Sequence, residues 1–308
     1  MSEDVEGTIT RHTGQPVVAT IGAFDGIHRG HHLLLGQVVD RAKSLGLASL
    51  CVTFDPHPDL VLYPERHLSY LTDRTEKERV LRHLGLNYVQ VIEFTHALSM
   101  LTPEEFLGLV SEHHPLAELW VGSDFALGRG RSGTIAALAE LGRVQEFALH
   151  VVPPRRSDRE IISSTSIRSL LSQGNVRHAN RLLGRRYRIS GIVESGAQRG
   201  RTIGFPTANI KPDPRRALPA DGVYAAVVPL DGVEHRAVAN LGSRPTFKEG
   251  ERLLEVHLLD TTADLYDKPL DVDFVERLRD TRRFDGIDAL RAQIARDADA
   301  ARTVDLAL

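Results

Sequence analysis

The rhythm of the chain changes near residue 184, and that change constrains the fold more than any single motif does. Before it, apolar runs alternate with stretches of helical spacing. Val17-Val18-Ala19-Thr20-Ile21 is followed by Leu33 to Ala42, which has helical spacing through Leu34, Leu35, Val38 and Val39. Leu50-Cys51-Val52-Thr53-Phe54 then reads as a strand closed by Asp55-Pro56-His57-Pro58. Val89 to Phe94 and Leu119-Trp120-Val121 continue the series, with Thr102-Pro103-Glu104-Glu105 a helix start between them. Strands separated by helices predict an α/β, mostly parallel, doubly wound sheet whose ligands lie beyond the carboxyl ends of the strands. Asn175 and Gly184 bracket a helix ending at Leu183. From Tyr187 onward, β-like runs are separated by Gly and Pro, as at 188–193, 222–228 and 253–258, and Asp231-Gly232 is a hairpin signal. These predict a small antiparallel barrel, followed by one helix from about Ile287 to Ala301. Two domains are expected, 1–183 and 184–308.

Composition removes several classes of function. The 38 Lys and Arg nearly balance 41 Asp and Glu, leaving a net charge of −3, without the basic excess of a general nucleic-acid binder. The single Cys51 excludes an internal disulfide framework and a multi-cysteine zinc site. Lying within Leu50-Cys51-Val52, it reads as a small core residue. No apolar stretch reaches the ~18 residues of a membrane span, and the acidic start, Met1 to Glu6, lacks the order of a secretion signal. A cytoplasmic protein with no nucleic-acid or membrane partner is expected.

The first chemical motif follows the first strand: Gly22-Ala23-Phe24-Asp25-Gly26-Ile27-His28-Arg29-Gly30-His31. Glycines let backbone approach a ligand closely. His28 and His31 flank Gly30 where a helix begins, and unpaired N–H groups with the helix dipole already favour anions there. Imidazoles at such a place can donate hydrogen bonds to phosphate oxygens as charge develops in a transition state. His-x-x-His is also half of a metal site, or a pair of capping residues. A second cluster, Ile162-Ser163-Ser164-Thr165-Ser166-Ile167-Arg168, puts hydroxyls at a helix start with a guanidinium one turn in. That suits a polyphosphate, and is also what a serine-rich cap looks like. The basic run at 155–159 reads as a solvated loop.

The second half carries Gly196 to Gly204 and then Phe205-Pro206-Thr207-Ala208-Asn209. A glycine-rich backbone leading into a strand can wrap nucleotide phosphates. Thr207 and Asn209 share a strand face, and both offer neutral oxygens to a hard cation such as Mg²⁺ arriving with ATP. Glu255 is the obvious general base near them, or else a solvated strand residue.

The motifs Gly22-x-Phe24-Asp25-Gly26-Ile27-His28-x-Gly30-His31, Thr53 to Pro58, Val121-Gly122-x-Asp124-Phe125-x-x-Gly128 and Ile162 to Arg168 resemble the FMN adenylyltransferase half of the bacterial bifunctional FAD synthetases, with its Rossmann-like nucleotidylyltransferase fold. Gly200-Arg201-x-x-Gly204 to Asn209, Gly222 to Ala225, Asn240 to Phe247 and Glu255 to Asp260 resemble the riboflavin kinase half, and 287–297 its closing helix. The resemblance runs from about 16 to 302 in the family's own order. It implies ATP-dependent phosphorylation of riboflavin to FMN, then adenylylation of FMN to FAD, with Mg²⁺, ATP and flavins as the bound small molecules. For adenylyl transfer it implies that Gly22, Phe24, Asp25, His28, Gly30, His31, Ser163, Ser164, Thr165 and Arg168 bind ATP. Asp55, Asp124 and Phe125 would then face FMN. For the kinase it implies ATP on Gly200, Arg201, Gly204, Phe205, Pro206, Thr207 and Asn209, with Mg²⁺ on Thr207 and Asn209. Glu255 would activate the ribityl 5′-hydroxyl, and Arg279, Arg282 and Phe284 would contact flavin. The chain departs from the family at Ala23, where Asn is frequent. It departs again at Thr281 and Arg283, where Glu and Lys are usual, which leaves open whether Asp280 supplies the missing carboxylate. The rival expectations are retention of one activity only, a non-catalytic flavin-binding module, and adenylyl transfer to another phosphate.

Overall fold

A computed structural model describes residues 14–157, 160–194, 203–243, 252–261 and 263–308. Its contacts divide into two compact units, Met1–Ser164 and Thr165–Leu308.

The first unit alternates as the sequence predicts. Its elements are β1 (Val17–Ile21), α1 (Arg29–Leu45), β2 (Ala48–Asp55), α2 (Pro58–Leu62), α3 (Arg74–His83), β3 (Tyr88–Glu93), α4 (His96–Ser99) and α5 (Pro103–His113). They are followed by β4 (Leu116–Gly122), α6 (Ile135–Gln145) and β5 (Ala148–Val152). The sheet order is β3-β2-β1-β4-β5, with every neighbouring pair parallel. β1 is central and buried throughout, as a parallel strand covered on both faces should be. The order reverses between β1 and β4, so the loops after those two strands diverge and leave a crevice. Cys51 is a fully buried core residue of β2.

Local signals explain most element ends. Thr102 and Glu105 form a reciprocal capping box at α5, behind Pro103. Gly46 ends α1 in the left-handed region. β5 was not expected from sequence. Its half-exposed pattern shows why, since an edge strand lacks a continuous apolar run. The basic run at 155–159, read as loop, contributes β6 (Arg156–Ser157), which pairs with β7 (Glu160–Ile161); Asp158 and Arg159 lie outside the described residues.

The second unit begins in α7 (Ser164–Ser172) and α8 (Val176–Leu183), the latter capped by Asn175 and ended by Gly184 as predicted. The strands are β8 (Tyr187–Glu194), β9 (Ala208–Ile210), β10 (Gly222–Leu230), β11 (Val233–Ser243), β12 (Arg252–Leu258) and β13 (Pro269–Arg279). They close into a barrel in the order β10-β11-β12-β9-β8-β13. Asp231 and Gly232 turn β10 into β11 with φ of 49° and 80°, the two positive values that a type I′ turn requires. Tyr224 and Phe274 are fully buried and meet edge to face at 5.1 Å. α9 (Ile287–Thr303) covers one side: Ala298 and Ala301 pack on Val223, Ala225, Val227, Val238 and Val275. α8 belongs with the barrel because the buried Asn180 side chain donates to the Phe274 carbonyl and accepts from the Tyr187 amide.

Candidate active sites

The crevice at the β1–β4 switch has a volume of about 610 Å³, within the usual range of small-molecule sites. One wall is the loop from Gly22 to Asp25 with His31 and Ser164. The other comes from Gly122, Asp124, Phe125 and Gly128, and Phe54, Tyr63, Phe94 and Phe106 give the pocket an aromatic end. It is therefore polar where a helix begins and apolar where a planar ring system would fit.

The loop after β1 is tightly bent. Phe24 and Ile27 have φ of 45° and 39°, and Gly26 has 80°. Left-handed Phe and Ile are unfavourable and persist only where neighbours over-determine them. Here the buried Asp25 carboxylate accepts from the amides of Leu71 at 2.9 Å and Thr72 at 3.1 Å. The Gly26 amide donates to Thr72 Oγ1, and Ser164 Oγ donates to the Asp25 carbonyl at 2.8 Å.

His28 is the N-cap of α1, its Nδ1 accepting from the His31 amide at 3.3 Å. That assigns the proton of neutral His28 to Nε2. The two imidazoles stack with centroids 3.7 Å apart. His31 reaches the crevice and His28 lies behind it. Burial, reinforced by His28, His32 and Lys77, holds His31 well below the ordinary imidazole value. Its Nδ1 is buried with no hydrogen-bond partner among the described residues. A neutral, unpaired imidazole at a helix N-terminus is ready to hydrogen-bond an incoming anion. Among the described residues no group of three or more His, Cys, Asp or Glu could hold a metal, so the His-x-x-His pair has no third ligand of that kind.

Other expected residues fall into place unevenly. Asp124 and Phe125 line the crevice. Asp55 does not; Phe54, His57 and Pro58 form the wall beside it, and its charge acts on Lys77 instead. Gly30 packs against the His28 ring, where an added Cβ would lie 3.1 Å from ring atoms. Ser163 precedes α7, and Thr165 and Arg168, in its first turns, belong to the second unit. The aromatic wall and the anchors Leu71, Thr72 and Lys77 were not foreseen, because no motif marks them.

On the barrel, β9, β12 and β11 place Asn209, Glu255 and Asn240 in one row, Asn209 opposite Glu255 and Glu255 opposite Asn240. Residues paired across adjacent strands share a face. Asn240 Nδ2 donates to Glu255 Oε2 at 3.1 Å, which orients the carboxylate. Asn209 is buried, and its Oδ1 has no hydrogen-bond partner among the described residues. Thr207 directly precedes β9 and, with Pro206, Ala208, Val256 and Tyr266, lines a cavity of about 450 Å³. His257 Nδ1 contacts the Pro206 carbonyl at 2.8 Å, and Phe205 meets the His257 ring edge to face. Gly204 adopts φ 89° in the same loop, while Gly200 and Arg201 lie outside the described residues.

Arg279 and Arg282 both place their guanidinium groups near the Phe284 ring. They are also tied to α9: Arg279 forks onto the buried Asp297 at 2.7 and 3.0 Å, and Arg282 donates to Gln293. Asp280 pairs with Arg277 at 2.7 Å and is 81% exposed. Its carboxylate is thus already engaged by a cation at the surface, and Thr281 leaves the position without an acid.

The two halves match two families. A riboflavin kinase family model covers 183–304 and an FAD synthetase model covers 10–166. The bifunctional riboflavin kinase/FMN adenylyltransferase of Escherichia coli is 38% identical over 92% of this chain and 91% of its own. The Bacillus subtilis protein of the same name is 33% identical over 92% and 91%. A crystal structure from Streptococcus pneumoniae, named as a macrolide-efflux protein, is 32% identical, covers 96% of both chains and has a TM-score of 0.87. In this chain no helix among the described residues is long and apolar enough to cross a membrane.

Proposed function

The chain belongs to the bifunctional riboflavin kinase/FMN adenylyltransferase family, and from that membership we propose how its two sites divide the work. It is a transferase with both activities: riboflavin and ATP give FMN and ADP, then FMN and ATP give FAD and pyrophosphate. Two observations support this reading: the first half holds a crevice bordered by Asp25, His31 and Ser164, and on the barrel Asn209, Glu255 and Asn240 stand in one row, with Thr207 lining a cavity beside β9. Both steps consume ATP, which favours a cytoplasmic enzyme.

In the kinase half, Glu255, held by Asn240, orients the ribityl 5′-hydroxyl and takes its proton as the oxygen attacks the γ-phosphorus. Thr207 and Asn209 hold Mg²⁺ with ATP; the buried, unpartnered Oδ1 of Asn209 beside a carboxylate is the donor set such an ion uses. The ion, when bound, neutralises charge developing on the phosphate oxygens. Arg279, Arg282 and Phe284 border the flavin.

In the adenylyltransferase half, an FMN phosphate oxygen attacks the α-phosphorus of ATP and pyrophosphate leaves. His31, with His28 stacked behind it, donates to the phosphates at the α1 N-terminus, where backbone N–H groups add to the stabilisation. Gly22, Phe24, Asp25 and Gly30 shape the loop that admits ATP. Ser163 and Ser164 complete the phosphate set, and the isoalloxazine lies at the aromatic end with Asp124 and Phe125. Asp55 is not assigned a flavin contact.

The test is a time course with riboflavin, ATP and MgCl₂, the flavins being separated by chromatography. FMN then FAD are expected from the native chain. His28→Ala with His31→Ala should let FMN accumulate while FAD formation drops by at least ~100-fold. Glu255→Ala should drop FMN formation by a similar factor yet still convert added FMN, the range expected for losing an acid–base group. A Glu255→Ala protein with full kinase rate would remove that residue from the mechanism.

A further inference from the structure

Lys77, in the first turn of α3, is 3% exposed, an unusual place for an ammonium group. Asp73 caps this helix through the Glu76 amide. The Lys77 Nζ donates to two backbone carbonyls, Ala23 O at 3.0 Å and Phe54 O at 3.0 Å. These belong to different strands' ends. The β1–β2 ladder runs as far as the Gly22 amide, which still donates to the Val52 carbonyl; beyond it the two chains part and the crevice opens. Separation leaves buried carbonyls without ladder partners, a situation that a fold must repair. Thr53 Oγ1 repairs part of it, donating to Ala23 O at 3.1 Å, and Lys77 reaches both sides. Ala23 and Phe54 both line the crevice, opposite edges of one opening. Burial lowers the Lys77 pKa, and Asp25 and Asp55 work against that shift. The same ammonium acts on His31, so it lies close beneath the phosphate-binding end.

We propose that Lys77 is a positioning residue for adenylyl transfer: one buried ammonium bridges the Ala23 and Phe54 carbonyls and sets the gap in which His31 meets the nucleotide. The proposal rests on the crevice being the adenylyl-transfer site. A neutral donor could satisfy one carbonyl, whereas an ammonium on a four-carbon stem offers divergent donors to both. Without it the strained loop from Phe24 to Ile27 would keep the Thr53 Oγ1 contact but lose the bridge from Ala23 to Phe54, and reacting groups displaced by about an ångström typically lose on the order of 100-fold in rate.

The experiment uses the full chain with Lys77→Met and Lys77→Arg, measuring kcat and KM for FMN and ATP in FAD formation. FMN formation by the kinase half serves as the internal control. Trp120, the single tryptophan, lies in the first unit, so its fluorescence reports folding there independently. Lys77→Met is expected to keep the Trp120 signal, hold both KM values within threefold and lose about 100-fold in kcat. Lys77→Arg keeps the charge but its planar, longer head cannot reproduce both contacts, so a folded protein with about tenfold lower kcat is expected. Full kcat in a folded Lys77→Arg protein overturns the proposal, whatever Lys77→Met does. So does a Lys77→Met effect confined to KM. If His28→Ala with His31→Ala leaves FAD formation intact, the site assignment fails instead; loss there with wild-type kcat in both Lys77 variants refutes the Lys77 role alone.

Discussion

Individual residues in the adenylyl-transfer loop hold conformations that their side chains disfavour. Phe24 and Ile27 each occupy the left-handed region, at about 1–2 kcal/mol apiece. Asp25 stabilises the bend by binding two amides of the segment at 71–72. At Gly26 a substitution fails twice. Its φ is 80°, and an added Cβ would lie 2.7 Å from Leu71 Cδ1, on the segment that anchors Asp25. Gly26→Ala should therefore slow FAD formation by at least about tenfold and lower stability of the first unit by about 1–2 kcal/mol. Kinase rate should be unaltered; a Trp120 fluorescence melt and separate assays of the two reactions check all three. Sequence alone shows the glycine and the histidines but not the strain, which depends on a segment over forty residues away.

Element boundaries were legible wherever a short-range rule sets them. Thr102-Pro103 and Asn175 start helices, Gly184 stops one, and Asp231-Gly232 turns a hairpin, all through contacts within a few residues. What escaped reading depends on tertiary surroundings: β5 at the sheet edge, and Lys77, which sits in a polar helix that looks solvated until the carbonyls beneath it are known. A second such case joins three elements of the first unit. Glu118 of β4 accepts from Arg41 of α1 at 2.7 Å and from the Trp120 ring, which itself stacks on His150 of β5. Burial opposes the charge of Glu118, but the Arg41 and Trp120 hydrogen bonds outweigh it and leave the carboxyl below its ordinary 4.5. A depressed folded pKa means the stabilisation is complete above the unfolded value and disappears as pH falls through the folded one. Thermal unfolding followed at Trp120 should thus fall below pH 4.5, and Glu118→Gln should melt lower at neutral pH while losing this part of the acid dependence.

At the scale of the molecule, two unlike architectures each bring polar side chains together, Asp25, His31 and Ser164 around the crevice of the first unit and Asn209, Glu255 and Asn240 in one row on the barrel, and the change of sequence rhythm predicts both architectures. Mg²⁺ enters only with nucleotide in the proposed scheme, and no group of three or more His, Cys, Asp or Glu among the described residues would bind it as a structural ion. Chelation with EDTA should accordingly stop FMN and FAD formation without changing the circular dichroism spectrum, and excess MgCl₂ should restore both; a spectrum that collapses on chelation would refute this. The barrel is sealed by β13, which pairs with β8 through Tyr187 and Phe274 and with β10 through Val223 to Val227. These partners precede β13 in synthesis, so a nascent chain keeps two ribbon margins open until its last strand emerges from the ribosome. Products interrupted upstream of Pro269 would expose unpaired amides and carbonyls along β8 and β10, the kind of surface that recruits neighbouring chains into aggregates.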